Sequence, residues 1–221
     1  MLGKNHHNNF IITDAQLNKD QTKVWVSTTP SSNSIAMYEI RDGKWETTYE
    51  LNELNPCPFL QLALSTDEVY IIGTLTAGFQ LWKAESFGES MTMLRLPNGV
   101  FNVANPNTIN KSNNCVLSAG NKYGIAGIRK NLYIWDVETG DLVKTLDAHF
   151  ARILDVQPLS LGSLNAVITS SIDRTVKVWN INYIFEQVHH IDRHELQIDS
   201  LNLSTSSGIA ITVTIMTNEG G

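Results

Sequence analysis

A histidine, a serine and an aspartate, His149, Ser171 and Asp173, lie within one short stretch of this chain. Those are the residue types of a hydrolytic triad, which needs its serine hydroxyl free for the imidazole to deprotonate. A second cluster, His189, His190 and His194 in HHIDRH, contains an i, i+4 histidine pair that could face one metal ion if the segment were helical. The segment instead runs off an apolar alternating stretch into a loop, and alternate strand residues face opposite ways. With no cysteine nearby and neighbours facing opposite ways, the stretch does not complete a ligand set, so no metal site is expected. The carboxylates Asp14, Asp155 and Asp199 are the charged candidates on innermost strands, and Asp155 and Asp199 occupy like positions in ILDV and QIDS. One carboxylate per unit gives no pair for glycosidase chemistry. Cys57 and Cys115, 58 residues apart, match no zinc-ligand spacing and are too few for a disulfide framework, so both are read as reduced, buried thiols. Gly120, Gly124 and Gly127 fall in turns and an inner strand rather than in a phosphate loop.

The elements that hold these residues repeat. Tyr38, Trp82, Trp135 and Trp179 each end an apolar run in the same way, as IAMYE, FQLWK, LYIWD and VKVWN, at spacings of 44, 53 and 44 residues. The long interval contains an Asn- and Pro-rich stretch, 97–112, that reads as a loop. Each interval holds β-type runs separated by turn residues: KVWVSTT, SIAMYEI and KWETTYEL in the first, CVLS, YGIAGI, LYIWDV and LVKTL in the third. FIITDA makes a weak first strand for the opening unit. No helical period persists for three turns, which disfavours crossover-helix architectures.

Composition narrows the function classes. The chain has 221 residues, 42% hydrophobic and 17% charged, with a formal net charge of −6. That length supports a sizeable core. The acidic balance and the lack of Lys/Arg runs disfavour nucleic acid as a partner. The first twenty residues carry no apolar signal region, and no run nears the roughly 18 apolar residues of a membrane span. A cytoplasmic protein without cofactors is the expectation.

The order strand, Trp-Asp or Trp-Asn, turn, strand, then Ala148-His149 resembles the WD-repeat family, whose repeats are four-stranded propeller blades with a period of about 40–45 residues. The resemblance implies an all-β, β-propeller fold with blades at 10–51, 58–96, 113–146 and 152–191 and a half blade at 197–214. Residues 1–9 are expected to be disordered and 215–221 to lie outside the repeat. The half blade makes an incomplete propeller, a fragment or isoform of a longer WD-repeat protein that depends on its missing portion. Residues 113–214 also resemble the propeller portion of NACHT-and-WD-repeat proteins.

The family pattern also reassigns the triad. It implies that Trp179 donates its indole N–H to the Ser171 hydroxyl, that this hydroxyl bonds His149, and that Asp173 holds the histidine. A buried indole N–H needs an acceptor, and a serine tied in this way is a poor nucleophile, so no enzyme activity is expected. The other units depart from the pattern. Arg129 stands where the third needs its aspartate; Thr74 or Thr76 could serve Trp82; His194 and Thr214 fit the half blade, but Met216 does not.

The implied function is a protein-interaction scaffold that docks other proteins or peptides on its loop face. Phe150, Arg152, Ile172, Arg174 and Arg129 are the candidate contacts, with Ala151, Lys130 and Glu195 beside them. An exposed aromatic flanked by arginines suits a hot spot. The alternative is a propeller enzyme or small-ligand propeller using the central-channel carboxylates.

Overall fold

The computed structural model describes residues 11–29, 34–52, 61–65, 67–75, 78–86, 91–97, 115–161, 164–181, 186–191, 198–204 and 210–215. Expectations for the N-terminus, Cys57, Thr76, the loop at 98–112, His194, Glu195 and Met216 lie outside them. The described chain is all-β, and its contacts divide it into two compact units, Met1–Val103 and Ala104–Gly221.

The first unit holds two four-stranded sheets. One comprises β1 (Ile11–Leu17), β2 (Lys23–Thr29), β3 (Ser34–Arg41) and β4 (Lys44–Asn52). The other comprises β5 (Gln61–Leu64), β6 (Tyr70–Leu75), β7 (Gly78–Lys83) and β8 (Met91–Arg95). The second unit repeats the plan with β9 (Cys115–Leu117), β10 (Tyr123–Ile128), β11 (Asn131–Asp136) and β12 (Leu142–Asp147). A further sheet follows, β13 (Ile153–Leu161), β14 (Leu164–Ser171), β15 (Val176–Asn180) and β16 (Glu186–Ile191). A pair, β17 (Ile198–Ser204) and β18 (Ala210–Ile215), comes last. Strands neighbour one another in chain order in every sheet, and every pairing is antiparallel. The opening strand β1, weak in sequence, is a full seven-residue strand.

The 44-residue period is visible in the backbone. Tyr38, Trp82, Trp135 and Trp179 each pair across to the second strand of their sheet, opposite Val24, Ile71, Gly124 and Val167. The pairing to the outer strand slips by a bulge at Tyr38, Trp135 and Trp179. Another bulge recurs in the first strand of three sheets, at Ile12/Asp14, Ile153/Asp155 and Ile198/Ser200. Bulges increase local twist, which a strongly coiled blade requires.

Burial follows strand position. All five residues of β15 are buried, whereas β12 alternates between exposed and half-buried. The inner strands β7, β10 and β15 are buried on both faces over most of their length, whereas the opening strand β1 keeps Ile12 and Leu17 exposed. Within the second unit, Ile125, Leu132, Ile134, Ile153, Val156, Val167 and Trp179 form one core across two sheets. Within the first, Trp25, Ile35, Leu62, Ile71 and Trp82 do the same. Among the described residues no ladder joins the two sheets of either unit, so side chains carry the contacts of these cores.

Candidate functional site

The loop between β12 and β13 and the turn between β14 and β15 meet at one end of the fourth sheet. The turn closes by Arg174 N–H to Ser171 O (3.1 Å) and Ser171 N–H to Thr175 O (3.2 Å). Arg174 takes a positive φ of 68°. The Asp173 carboxylate folds back over the turn. Its Oδ1 accepts the Thr175 N–H at 3.0 Å and the Thr175 hydroxyl at 2.6 Å. Its Oδ2 accepts the Phe150 N–H at 2.9 Å and lies 2.9 Å from His149 Nδ1.

His149 and Trp179 converge on Thr169. The indole N–H of Trp179 donates to Thr169 Oγ1 over 3.0 Å, and His149 Nε2 lies 2.7 Å from the same oxygen. With a carboxylate on Nδ1, the neutral imidazole carries its proton there and accepts the threonine O–H at Nε2. The relay then runs in one direction: Trp179 N–H to Thr169, Thr169 O–H to His149, His149 N–H to Asp173. The His149 side chain has no solvent exposure and that of Asp173 only 7%. Burial pushes the Asp173 carboxyl up, but donations from Thr175 and the Phe150 N–H, with the field and hydrogen bond of His149, outweigh it and hold it at about 2.

The hydroxyl of the relay is therefore Thr169 and not Ser171. The register gives the reason. Trp179 stands opposite Val167, so the same-face residue one step along β14 is Thr169, while Ser171 lies a further two residues away. Counting from the tryptophan with the two-residue strand period would have found it. Ser171, fully buried, instead donates to the carbonyls of Ala151 (3.2 Å) and Arg152 (3.0 Å) and accepts the Asp173 N–H at 3.1 Å. It pins the entering loop to the turn. Its hydroxyl engages two carbonyls while His149 is turned to Thr169, so the three triad residues do not form a nucleophile and base.

The same counting corrects the other sheets. Gly73, Ala126 and Val26, two residues beyond those opposite Trp82, Trp135 and Tyr38, take the place that Thr169 takes relative to Trp179. Thr74 is one residue off that register. In the last pair Val213 holds the equivalent place, and Thr214 is again one residue off. The turn carrying Arg129 is a two-residue hairpin between Ile128 and Asn131, one residue tighter than its counterpart, so it has no place for a capping aspartate.

Lys177 was missed by the sequence reading. It pairs opposite Thr169, is 8% exposed, and donates its ammonium to Ala148 O over 2.7 Å. The nitrogen lies 5.7 Å from the Phe150 ring centroid and 5.9 Å from that of Trp179, within cation–π range. Its place two residues before Trp179, on the same strand face, was the available signal.

At the surface of this assembly Phe150 is 91% exposed. Arg129, Arg152 and Arg174 are exposed and Ile172 is half-buried. The backbone brings them together: Arg129 O accepts the Ile153 N–H at 2.6 Å, and Arg152 O accepts the Ile172 N–H at 3.0 Å.

Asp14 and Asp155 are each engaged within their own unit. Asp14 Oδ2 accepts the Leu62 N–H at 2.9 Å, linking β1 to β5, and its Oδ1 accepts the Ala15 N–H at 2.8 Å. Asp155 bonds the Val156 N–H at 2.8 Å and the Gln157 amide. The bulges place Ser200, not Asp199, in register with Asp155, so the likeness of ILDV and QIDS is one residue out of step. His189 and His190 are successive residues of β16, and among the described residues no group of three metal-ligating side chains occurs.

Meandering four-stranded antiparallel sheets, an aromatic residue recurring on the third strand and, in the fourth sheet, a Trp–Thr–His–Asp relay make an all-β chain whose sheets are consistent with the blades of an incomplete β-propeller. Comparison with known proteins is partial. No protein-family model matches the chain. It is similar to the nuclear distribution protein PAC1 of Arthroderma otae, 38% identical over 65 residues, or 29% of this chain and 14% of that protein. It is also similar to nuclear distribution protein PAC1-2 of Uncinocarpus reesii, 41% identical over 66 residues, or 30% and 14%. The matched stretch thus spans about one seventh of these relatives.

Proposed function

We propose that the chain is a protein-interaction platform that docks a partner protein on the edge formed by Phe150, Arg152, Ile172, Arg174 and Arg129. One observation carries the reading: a phenylalanine 91% exposed whose own N–H is fastened to the Asp173 carboxylate. An exposed aromatic on a fixed backbone loses little entropy when it is buried by a partner, and such residues dominate interface energetics. The buried relay beneath it serves to hold that loop. The similarity to two nuclear distribution proteins fits a scaffold better than a catalyst. The reading puts its working site in the cytoplasm, in keeping with the free, buried thiol of Cys115.

The test is capture from extract with the wild-type chain and with Phe150→Ala and Arg152→Ala, all checked for unchanged thermal unfolding. Loss of the same captured proteins from both variants is expected. An unaltered set of captured proteins rejects this edge as the docking site.

A further inference from the structure

The chemistry of the partner is written in the charges of that edge, and the inference rests on the edge being a docking site. The chain as a whole is acidic, with a net charge of −6. Yet Arg129, Arg152 and Arg174, all exposed, are linked through consecutive backbone bonds around the Phe150 loop. Among the described residues none of the three guanidinium groups has an ion-pair partner. The acidic groups beside them are already engaged. Asp173 takes four donors, and Asp147 is paired with Lys130 at 2.9 Å. Arg129 and Arg174 also stand at positive φ, 55° and 68°, where glycine or asparagine would be less strained.

We infer that this edge takes an acidic peptide segment, whose carboxylates are held by Arg129, Arg152 and Arg174 and whose apolar side chain rests on the Phe150 ring. Guanidinium forks bind carboxylates bidentately and stay charged at every physiological pH. Three like charges without acidic partners on one edge attract an anionic ligand. A stacked or apposed apolar group on Phe150 adds the desolvated centre that a bare charge cluster lacks.

The experiment uses the full chain and fluorescence anisotropy with two labelled peptides, one carrying Asp and Glu around a central leucine, the other its Asn and Gln counterpart. Binding of the acidic peptide alone is expected, weakening as salt rises. Arg152→Glu and Arg174→Glu should each weaken it about tenfold. Arg152→Gln and Arg174→Gln should weaken it in the same direction without reversing charge. Lys83→Glu, an equal charge change on the exposed end of β7, should leave it unchanged. Equal binding of both peptides, abolished by Phe150→Ala, overturns the acidic preference and leaves the docking edge standing. So does binding of neither peptide while Phe150→Ala still removes captured proteins. An oligouridine that binds through the same arginines where the acidic peptide does not also overturns it, in favour of nucleic acid.

Discussion

Trp179 on β15 and His149 in the loop between β12 and β13, 30 residues apart, meet at a single oxygen, Thr169 Oγ1, at 3.0 and 2.7 Å. That one hydroxyl satisfies a buried indole donor and a buried imidazole nitrogen together. Removing it therefore orphans two groups, each costing about 1–3 kcal/mol when left unsatisfied. Thr169→Val keeps the shape and should lower stability by about 2–4 kcal/mol. Ser171→Ala, outside the relay, should cost about 1 kcal/mol. Urea unfolding midpoints compare the two, and an equal or reversed order would place the hydroxyl of the relay at Ser171 after all.

The Asp173 carboxylate predicts how the fold responds to acid. Its folded pKa is held at about 2, below the usual value of about 3.9 in an unfolded chain. A depressed carboxylate stabilises the fold fully above the unfolded value, and that contribution disappears as pH falls through about 2. The interval corresponds to about 2–3 kcal/mol. Asp173→Asn should be less stable at neutral pH and should lack this share of the acid-induced loss. Unfolding midpoints between pH 6 and pH 2, measured for both proteins, should converge toward the acid end; parallel curves would contradict the assignment.

Much of the fold was legible because strand pattern and turn chemistry agree. Successive β runs joined by Gly-, Asn- and Asp-rich turns leave little choice but consecutive antiparallel pairing, and the Trp period marks the third strand of each sheet. The site was less legible where register matters. Residues 169 and 171 share a strand face, so alternation alone does not separate Thr169 from Ser171; only pairing with Trp179 does. Asp199 reads as equivalent to Asp155 from ILDV and QIDS, but the bulge shared by both strands aligns Ile153 with Ile198 and Asp155 with Ser200, and a bulge leaves no mark in composition. Lys177 went unnoticed because a lysine on an apolar strand reads as solvent-facing, whereas here its ammonium reaches the Ala148 carbonyl from within the core.

Cys115 offers a probe of unfolding. It is 1% exposed, and burial, opposed only weakly by a hydrogen bond from the Ile125 backbone, pushes its thiol up to about 12. The reactive thiolate is therefore scarce in the folded state at pH 8. Alkylation mapped by mass spectrometry should proceed at Cys115 only as fast as the surrounding sheets open, and should accelerate in urea in step with loss of β structure. Rapid labelling in the absence of denaturant would show that β9 is not packed as described.

Gly127 tests the packing of one blade on the next. A methyl group there would lie 2.5 Å from Ile153 Cγ2 and 2.9 Å from Val156 Cγ2, far inside contact distance. Both neighbours belong to β13, whose own place is fixed by the Ser171 and Arg129 bonds at its start. The strain can be relieved only by moving one sheet from the other, so Gly127→Ala should destabilise by about 1–3 kcal/mol. Ile153→Ala alone opens a cavity and should cost about 2–5 kcal/mol. In the double variant the added methyl fills part of that space, so the combined loss should fall clearly short of the sum. Simple additivity in urea unfolding would mean that β10 and β13 do not approach each other at Gly127, and the shared core of the third and fourth sheets would have to be redrawn.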